Sequence, residues 1–367
     1  MKIDGAFEDR FGAVAGAFER NFAAHGEVGA AVCVYRGGRP VVDLWAGLAD
    51  RDAGRAWQRD TMVVTNSTTK GFTTTVAHVL VERGLLDLDA PVAAYWPEFA
   101  ANDKQDIPVR WMLSHRAGIP VLDEPPRLAD IVAWAPVVAA VARQKPLWAP
   151  GTAHGYHVQT FGWMVGEIVR RITGKTIGRF YADEIASRFG IDFWIGLPPA
   201  QRDRVATCYA PPPAGREGGA APTLRALAGW TTQQMNLPAL QQAEVPSYNG
   251  IGTARAIARH YAALIGEIDG ARILAPQTLA AACAVQSDGP DRVFGAHTRC
   301  GLGFVLPPSL GVASGPRSFG HAGSGGSLGF ADPAAGVAFG YTPNQMGGVA
   351  AGDVRTRGLV DALYRCL

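Results

Sequence analysis

Apolar positions along this chain follow two spacings that alternate by region. Near the start, Phe7, Phe11, Val14, Phe18 and Phe22 fall three or four apart, which predicts a helix over residues 4–24. Two apolar, β-branched runs follow, Ala30 to Tyr35 and Pro40 to Trp45. Arg36-Gly37-Gly38-Arg39 between them reads as a two-glycine hairpin turn. Helical spacing then returns. Phe72, Val76, Val79 and Leu80 share one helix face ahead of a stop at Gly84. Phe161, Met164, Val165, Ile168, Val169 and Ile172 share another ahead of Gly174. Helices are also predicted at 109–115 and 128–143. After about Asn249, Thr253 caps a helix to about Ile265. Strands are predicted at 301–306, 318–323, 327–331 and 337–342, and a last helix at 354–364.

Strands at both ends and helices in the middle give an α+β fold. The simplest architecture is one antiparallel sheet built from both ends of the chain and flanked by N- and C-terminal helices. An all-helical domain is inserted into it. The expected boundaries are a discontinuous sheet domain, 1–65 with 250–367, and a mainly helical 66–249.

The 367 residues are ample for a large core, and 48% hydrophobic with 18% charged residues fits a globular, enzyme-sized chain. A net charge of +2 with no dense basic run argues against nucleic acid or an anionic membrane as partner. No stretch is long and apolar enough to span a bilayer. The first ten residues carry charges where a signal peptide needs an apolar run, so the cytoplasm is the expected compartment. Cys33, Cys208, Cys283, Cys300 and Cys366 are scattered, which predicts free thiols and neither a disulfide framework nor a zinc site. No cofactor is expected, and the oligomeric state stays open.

The chemistry concentrates in Thr65-Asn66-Ser67-Thr68-Thr69-Lys70 at the start of the Phe72 helix. Thr65 or Asn66 is expected to cap it. Ser67 and Lys70, three apart, share a face where backbone N–H groups are unpaired. A serine hydroxyl needs a base, and a lysine serves only when neutral, which burial favours. Thr73, Thr74 and Thr75 are expected to bond back to helix carbonyls.

Three motifs in order carry a resemblance: Ser67-Thr68-Thr69-Lys70, then Tyr156 after Trp148-Ala149-Pro150-Gly151, then His321-Ala322-Gly323. The chain resembles the serine β-lactamase and penicillin-binding-protein superfamily. Within it, the closer likeness is to the class C-related hydrolases that include the family VIII carboxylesterases. The resemblance covers nearly the whole chain. It implies a β-lactamase/transpeptidase-like fold with the active site between sheet and helical domain. Ser67 would be the acylated nucleophile, with Lys70 and Tyr156 sharing the general-base role. The backbone N–H groups of Ser67 and Ser324 would form the oxyanion hole. His321, Ala322, Gly323, His157 and Trp148 would contact substrate.

The departures bear on substrate. Tyr156-His157-Val158 lacks the usual amide of the second motif, and His321-Ala322 stands where a lysine and a threonine would bind a substrate carboxylate. A neutral histidine and a methyl group suit small neutral esters or amides better than β-lactams. His321 is expected either to donate to Tyr156 or substrate, or to be structural. Gly325-Gly326-Ser327-Leu328-Gly329 matches a nucleophile elbow, but no histidine follows Ser327 as that mechanism requires. His154 and His157 lack a third metal ligand. A ligand-binding protein without turnover would have no need of Ser67, Lys70 and Tyr156 together.

Overall fold

The computed structural model describes residues 2–211, 230–348 and 351–367. Most of the Pro-Gly stretch at 210–219, expected to be a surface loop, lies outside these residues. The chain opens not with a helix but with an edge strand, β1 (Ile3–Phe7), followed by helix α1 (Gly12–Ala24). Gly5 explains the difference. Its φ of +109° is not helical, and a Cβ there would collide with the Asp43 carbonyl of the neighbouring strand. Strands β2 (Gly29–Arg36) and β3 (Arg39–Asp50) form the predicted hairpin. Gly37 and Gly38 at its tip have φ of +57° and +81°, the paired left-handed values that a two-residue turn between twisted strands requires.

Apart from Arg55–Ala56, a short strand paired with β3, the rest of the main sheet comes from late in the chain: β4 (Phe319–Ala322), β5 (Leu328–Asp332) and β6 (Val337–Pro343). The order is β1-β3-β2-β6-β5-β4, with every neighbouring pair antiparallel. The early and late strands meet along one seam, where β6 pairs with β2 from Val337 opposite Arg36 to Pro343 opposite Ala30. The 301–306 stretch contributes only isolated bridges, Cys300 to Val305 and Val305 to Gly320. Ser287–Pro290 and His297–Cys300 form an unanticipated pair, hidden in the sequence by polar residues and Pro290.

Four further helices matter for the site: α2 (Thr69–Glu82), α3 (Thr160–Thr173), α4 (Ala254–Ile265) and α5 (Val354–Arg365). On one sheet face α1 and α5 close a core in which Phe11, Val14 and Phe18 meet Leu359, Val360 and Leu363. On the other face α4 lies so close to β6 that a Cβ at Gly340 would strike its first carbonyl. Beyond α4, α2 is buried without interruption from Thr69 to Leu80. Its threonines are buried too. Of Thr73, Thr74 and Thr75, only Thr75 bonds back, to Gly71 O at 2.9 Å. Thr73 and Thr74 reach out to the carbonyls of Pro246 and Gly303, tying α2 to its surroundings.

The segment between the sheet halves is mostly helical, but Phe193–Trp194 is a strand. It pairs with Ile251–Gly252, which also pairs with Val63–Val64. The helix predicted over 128–143 breaks at Trp134, whose φ is +61°, because Pro136 fits only the first turn of a new helix. No helix among the described residues is long and apolar enough to cross a membrane.

Candidate active site

Asn66–Thr68 form a 3-10 turn that runs into α2, placing Ser67 at the mouth of a buried helix with 7% of its surface exposed. The expected side-chain cap is absent. Thr65 Oγ1 instead donates to Gly250 O at 3.0 Å, and the Asn66 amide donates to Ser324 O at 2.6 Å.

Lys70 lies one turn along and is 0% exposed. Its Nζ is 2.7 Å from Val158 O, 3.0 Å from Ser247 O and 3.4 Å from Ser67 Oγ. Burial holds the amine well below the usual lysine range. A neutral amine has two N–H groups and one lone pair. The two carbonyls can only accept, so they take the N–H groups, and the lone pair is left for the Ser67 hydroxyl.

Tyr156 comes from the loop ahead of α3, and Lys70 Nζ lies 4.7 Å from the centre of its ring. Burial raises the phenol above its usual value. Its Oη is 3.3 Å from His321 Nε2. His321 Nδ1 faces Ala322 O at 2.7 Å and must carry the ring proton. Burial pushes the His321 pKa down to about 3, so the ring is neutral and Nε2 is bare. Tyr156 therefore donates to His321, the reverse of the donor role expected for the histidine.

The end of β4 runs hard against the nucleophile turn. A Cβ at Gly323 would collide with Ser327 Oγ and with the Thr65 carbonyl, so a glycine is required. Gly326 N donates to Gly323 O at 3.1 Å, closing a turn in which Gly325 has φ +89°. The Ser324 N–H in that turn has no hydrogen-bond partner among the described residues.

The family model described as Beta-lactamase matches residues 14–364. The chain belongs to the beta-lactamase family. Its sequence is 36% identical over 369 residues to esterase/beta-lactamase LipL from Mycobacterium tuberculosis (strain ATCC 25618 / H37Rv), covering 94% of this chain and 83% of LipL. The structure of a family VIII carboxylesterase matches with a TM-score of 0.94 at 41% identity over 100% of both chains. A penicillin-binding protein homologue from Caulobacter crescentus matches at 0.93 and 37%, again over 100% of both. The fold is thus β-lactamase/transpeptidase-like, and this beta-lactamase-family chain is a serine hydrolase.

Other side chains of this beta-lactamase-family site fall differently from expectation. His157, expected to contact substrate, is 0% exposed. Its Nδ1 donates to Gly155 O at 2.7 Å and its Nε2 accepts from Ile119 N at 3.2 Å, leaving no polar atom for a ligand. It braces the tyrosine loop instead, and His115 Nδ1 accepts its backbone N–H at 3.1 Å. Trp148 is half-buried, with Nε1 donating to Ala153 O at 3.1 Å and the Arg292 guanidinium 5.8 Å from its ring. His154 binds Thr298 Oγ1 at 2.8 Å, away from His157.

Sequence reasoning missed two supports. The buried Asp291 carboxylate accepts from the backbone N–H groups of Tyr156 (3.0 Å), Val293 (2.8 Å) and Phe294 (2.9 Å). It thereby fixes the tyrosine, whose ring stacks on Phe294 at 4.9 Å. Asp291 ahead of Gly295 signals a turn but says nothing of a site. From α5, Arg355 Nη2 and Thr356 Oγ1 each donate at 2.7 Å, to Gly325 O and Gly326 O. Glu27 and Asp353 neutralise that buried arginine at 3.0 and 2.9 Å.

The buried histidines set an acid limit. His157, His260 and His321 each have a pKa pushed down to about 3, chiefly by burial. Unfolded histidine titrates near 6.5. Between those values the unfolded chain binds protons that the folded chain refuses. Stability is therefore full above about pH 6.5 and falls as the pH drops below it. The melting temperature is expected to drop steadily from about pH 7 to pH 5. His260→Asn, in the core behind α2, should flatten that slope. Melting curves that coincide across the range would contradict the assignment.

Proposed function

We propose that this beta-lactamase-family hydrolase is a carboxylesterase acting on small, neutral, short-chain esters through an acyl-enzyme on Ser67. The observation that carries the reading is Lys70, a fully buried amine whose two carbonyl partners leave its lone pair to the nucleophile. In the proposed cycle Ser67 Oγ attacks the ester carbonyl carbon and its proton passes to Lys70 Nζ. The oxyanion is held by the N–H groups of Ser67 and Ser324. The C–O bond to the alcohol breaks, and Tyr156, kept protonated by burial, supplies the leaving oxygen with a proton. Tyr156 is made whole from the Lys70 ammonium. Water then repeats the sequence on the acyl-enzyme and releases the acid. His321 keeps the tyrosine hydroxyl oriented by accepting from it. The reading places Ser67 at the junction of the sheet domain, 1–65 with 250–367, and the mainly helical 66–249.

Substrate charge follows from the third motif. His321 is neutral and uses Nδ1 on Ala322 O, so neither it nor the Ala322 methyl group offers a cation to a substrate carboxylate. A series of p-nitrophenyl esters set beside nitrocefin tests the proposal. Short acyl chains are expected to turn over readily, with nitrocefin slower by about 100-fold or more in kcat/KM, a gap of the order that one missing buried polar contact produces. LipL bears both activities in its name, which makes β-lactam hydrolysis the second reading. Faster nitrocefin turnover than ester cleavage would favour it.

A further inference from the structure

Asn66 directly precedes the nucleophile and is unusual in three ways. Its φ of +49° is left-handed, a conformation uncommon outside glycine. It stands where asparagine would cap a helix, yet its side chain caps nothing. It is 1% exposed, and its Oδ1 has no partner among the described residues. Strain and an unpaired buried acceptor in one residue beside a reactive serine call for a function.

The side chain reaches across to the end of the sheet. Nδ2 donates to Ser324 O at 2.6 Å and approaches Met346 Sδ at 3.5 Å. Ser324 O belongs to the central peptide of the Gly323–Gly326 turn. Positive φ at Gly325 together with the Gly326-to-Gly323 bond is the type II pattern, in which that peptide is rotated about half a turn from its type I orientation. In the rotated form the carbonyl would turn away from Asn66. One amide therefore joins the turn that carries the Ser67 N–H to the turn that carries the Ser324 N–H, gripping the second turn one peptide beyond that N–H.

We propose that Asn66 is a positioning residue that fixes the separation of the two turns bearing these oxyanion-binding N–H groups. The inference rests on the ester hydrolysis at Ser67 proposed above. Glycine at position 66 would relieve the left-handed strain while deleting the tether, which separates a backbone role from a side-chain role.

Steady-state kinetics on a p-nitrophenyl ester with Asn66→Gly and Asn66→Asp make the test. Both variants are expected to lose about 10- to 100-fold in kcat, somewhat less than deletion of an oxyanion donor, with KM within about twofold of wild type. Asn66→Gly should melt at or above the wild-type temperature. A kcat within twofold of wild type in Asn66→Gly would overturn the proposal. So would a loss confined to KM. If the glycine variant does not fold, Asn66→Asp carries the test, because it keeps the shape and lacks the donor; a wild-type kcat there has the same meaning. Wild-type protein inert toward every ester would instead remove the esterase reading itself.

Discussion

Ser67→Ala is expected to lower kcat/KM for p-nitrophenyl esters by about 10,000-fold or more and to leave the melting temperature nearly unchanged. The size of the loss follows from the role. No covalent intermediate can form without the hydroxyl, and only binding and the oxyanion N–H groups would remain. The small effect on stability follows from the contacts. Among the described residues Ser67 Oγ has Lys70 Nζ as its side-chain partner, at 3.4 Å on the next turn of the same helix, and that contact ties no other element to it. Fluorophosphonate treatment followed by mass spectrometry should add one adduct to the wild type and none to the variant. Retention of more than about a tenth of the ester activity would exclude Ser67 as the nucleophile.

Lys70→Met is expected to cut kcat by about 1,000-fold, within the range typical of a lost general base. Methionine matches the lysine stem in volume and suits a site that is 0% exposed. It leaves the carbonyls of Val158 and Ser247 without donors, at about 1–3 kcal/mol for each unpaired group. The variant should therefore fold but melt lower. Lys70→Arg should not restore activity, because a guanidinium stays charged and has no lone pair to offer. The wild-type pH profile checks the same point. Burial lowers the amine, so the base form persists below the ordinary lysine value of about 10.4, and activity declines only as pH falls through the lowered value. A profile that collapses below about pH 10 would mean that Lys70 keeps its ordinary charge, and the claim that burial leaves it neutral in the resting enzyme would fall. With near wild-type kcat in Lys70→Met, the assignment of Lys70 as base would fall.

The parts of the site that were legible in the sequence are those set by local spacing. Ser67 and Lys70 sit three apart on a helix whose apolar positions announce it. The hairpin tip at Gly37-Gly38 and the stop at Gly174 declare themselves by residue type. Supports that depend on distant pairing were not legible. Asp291 and Tyr156 are 135 positions apart, as are many other pairs without meaning. The Asn66 amide reads as a helix cap until the backbone is known to be left-handed and the Ser324 carbonyl to lie across from it. The same limit applies to the fold. The stretch predicted as a helix over 4–24 has helical spacing from Phe7 to Phe22, yet Asp4 to Phe7 pair with β3, because an open sheet edge and the glycine at position 5 outweigh periodicity. The Trp134 break turns on one proline in a run that otherwise favours a continuous helix.

The β2–β6 seam imposes an order of events during synthesis. The hairpin of β2 and β3 leaves the ribosome early, but its partner spans Val337–Pro343. At about 5–20 residues per second, the interval is roughly fifteen seconds to a minute. Throughout that time β2 presents a bare strand edge of the kind that neighbouring nascent chains can capture. A message cut short before codon 337 would yield a polypeptide holding the serine, the lysine and the tyrosine, yet unable to close its sheet.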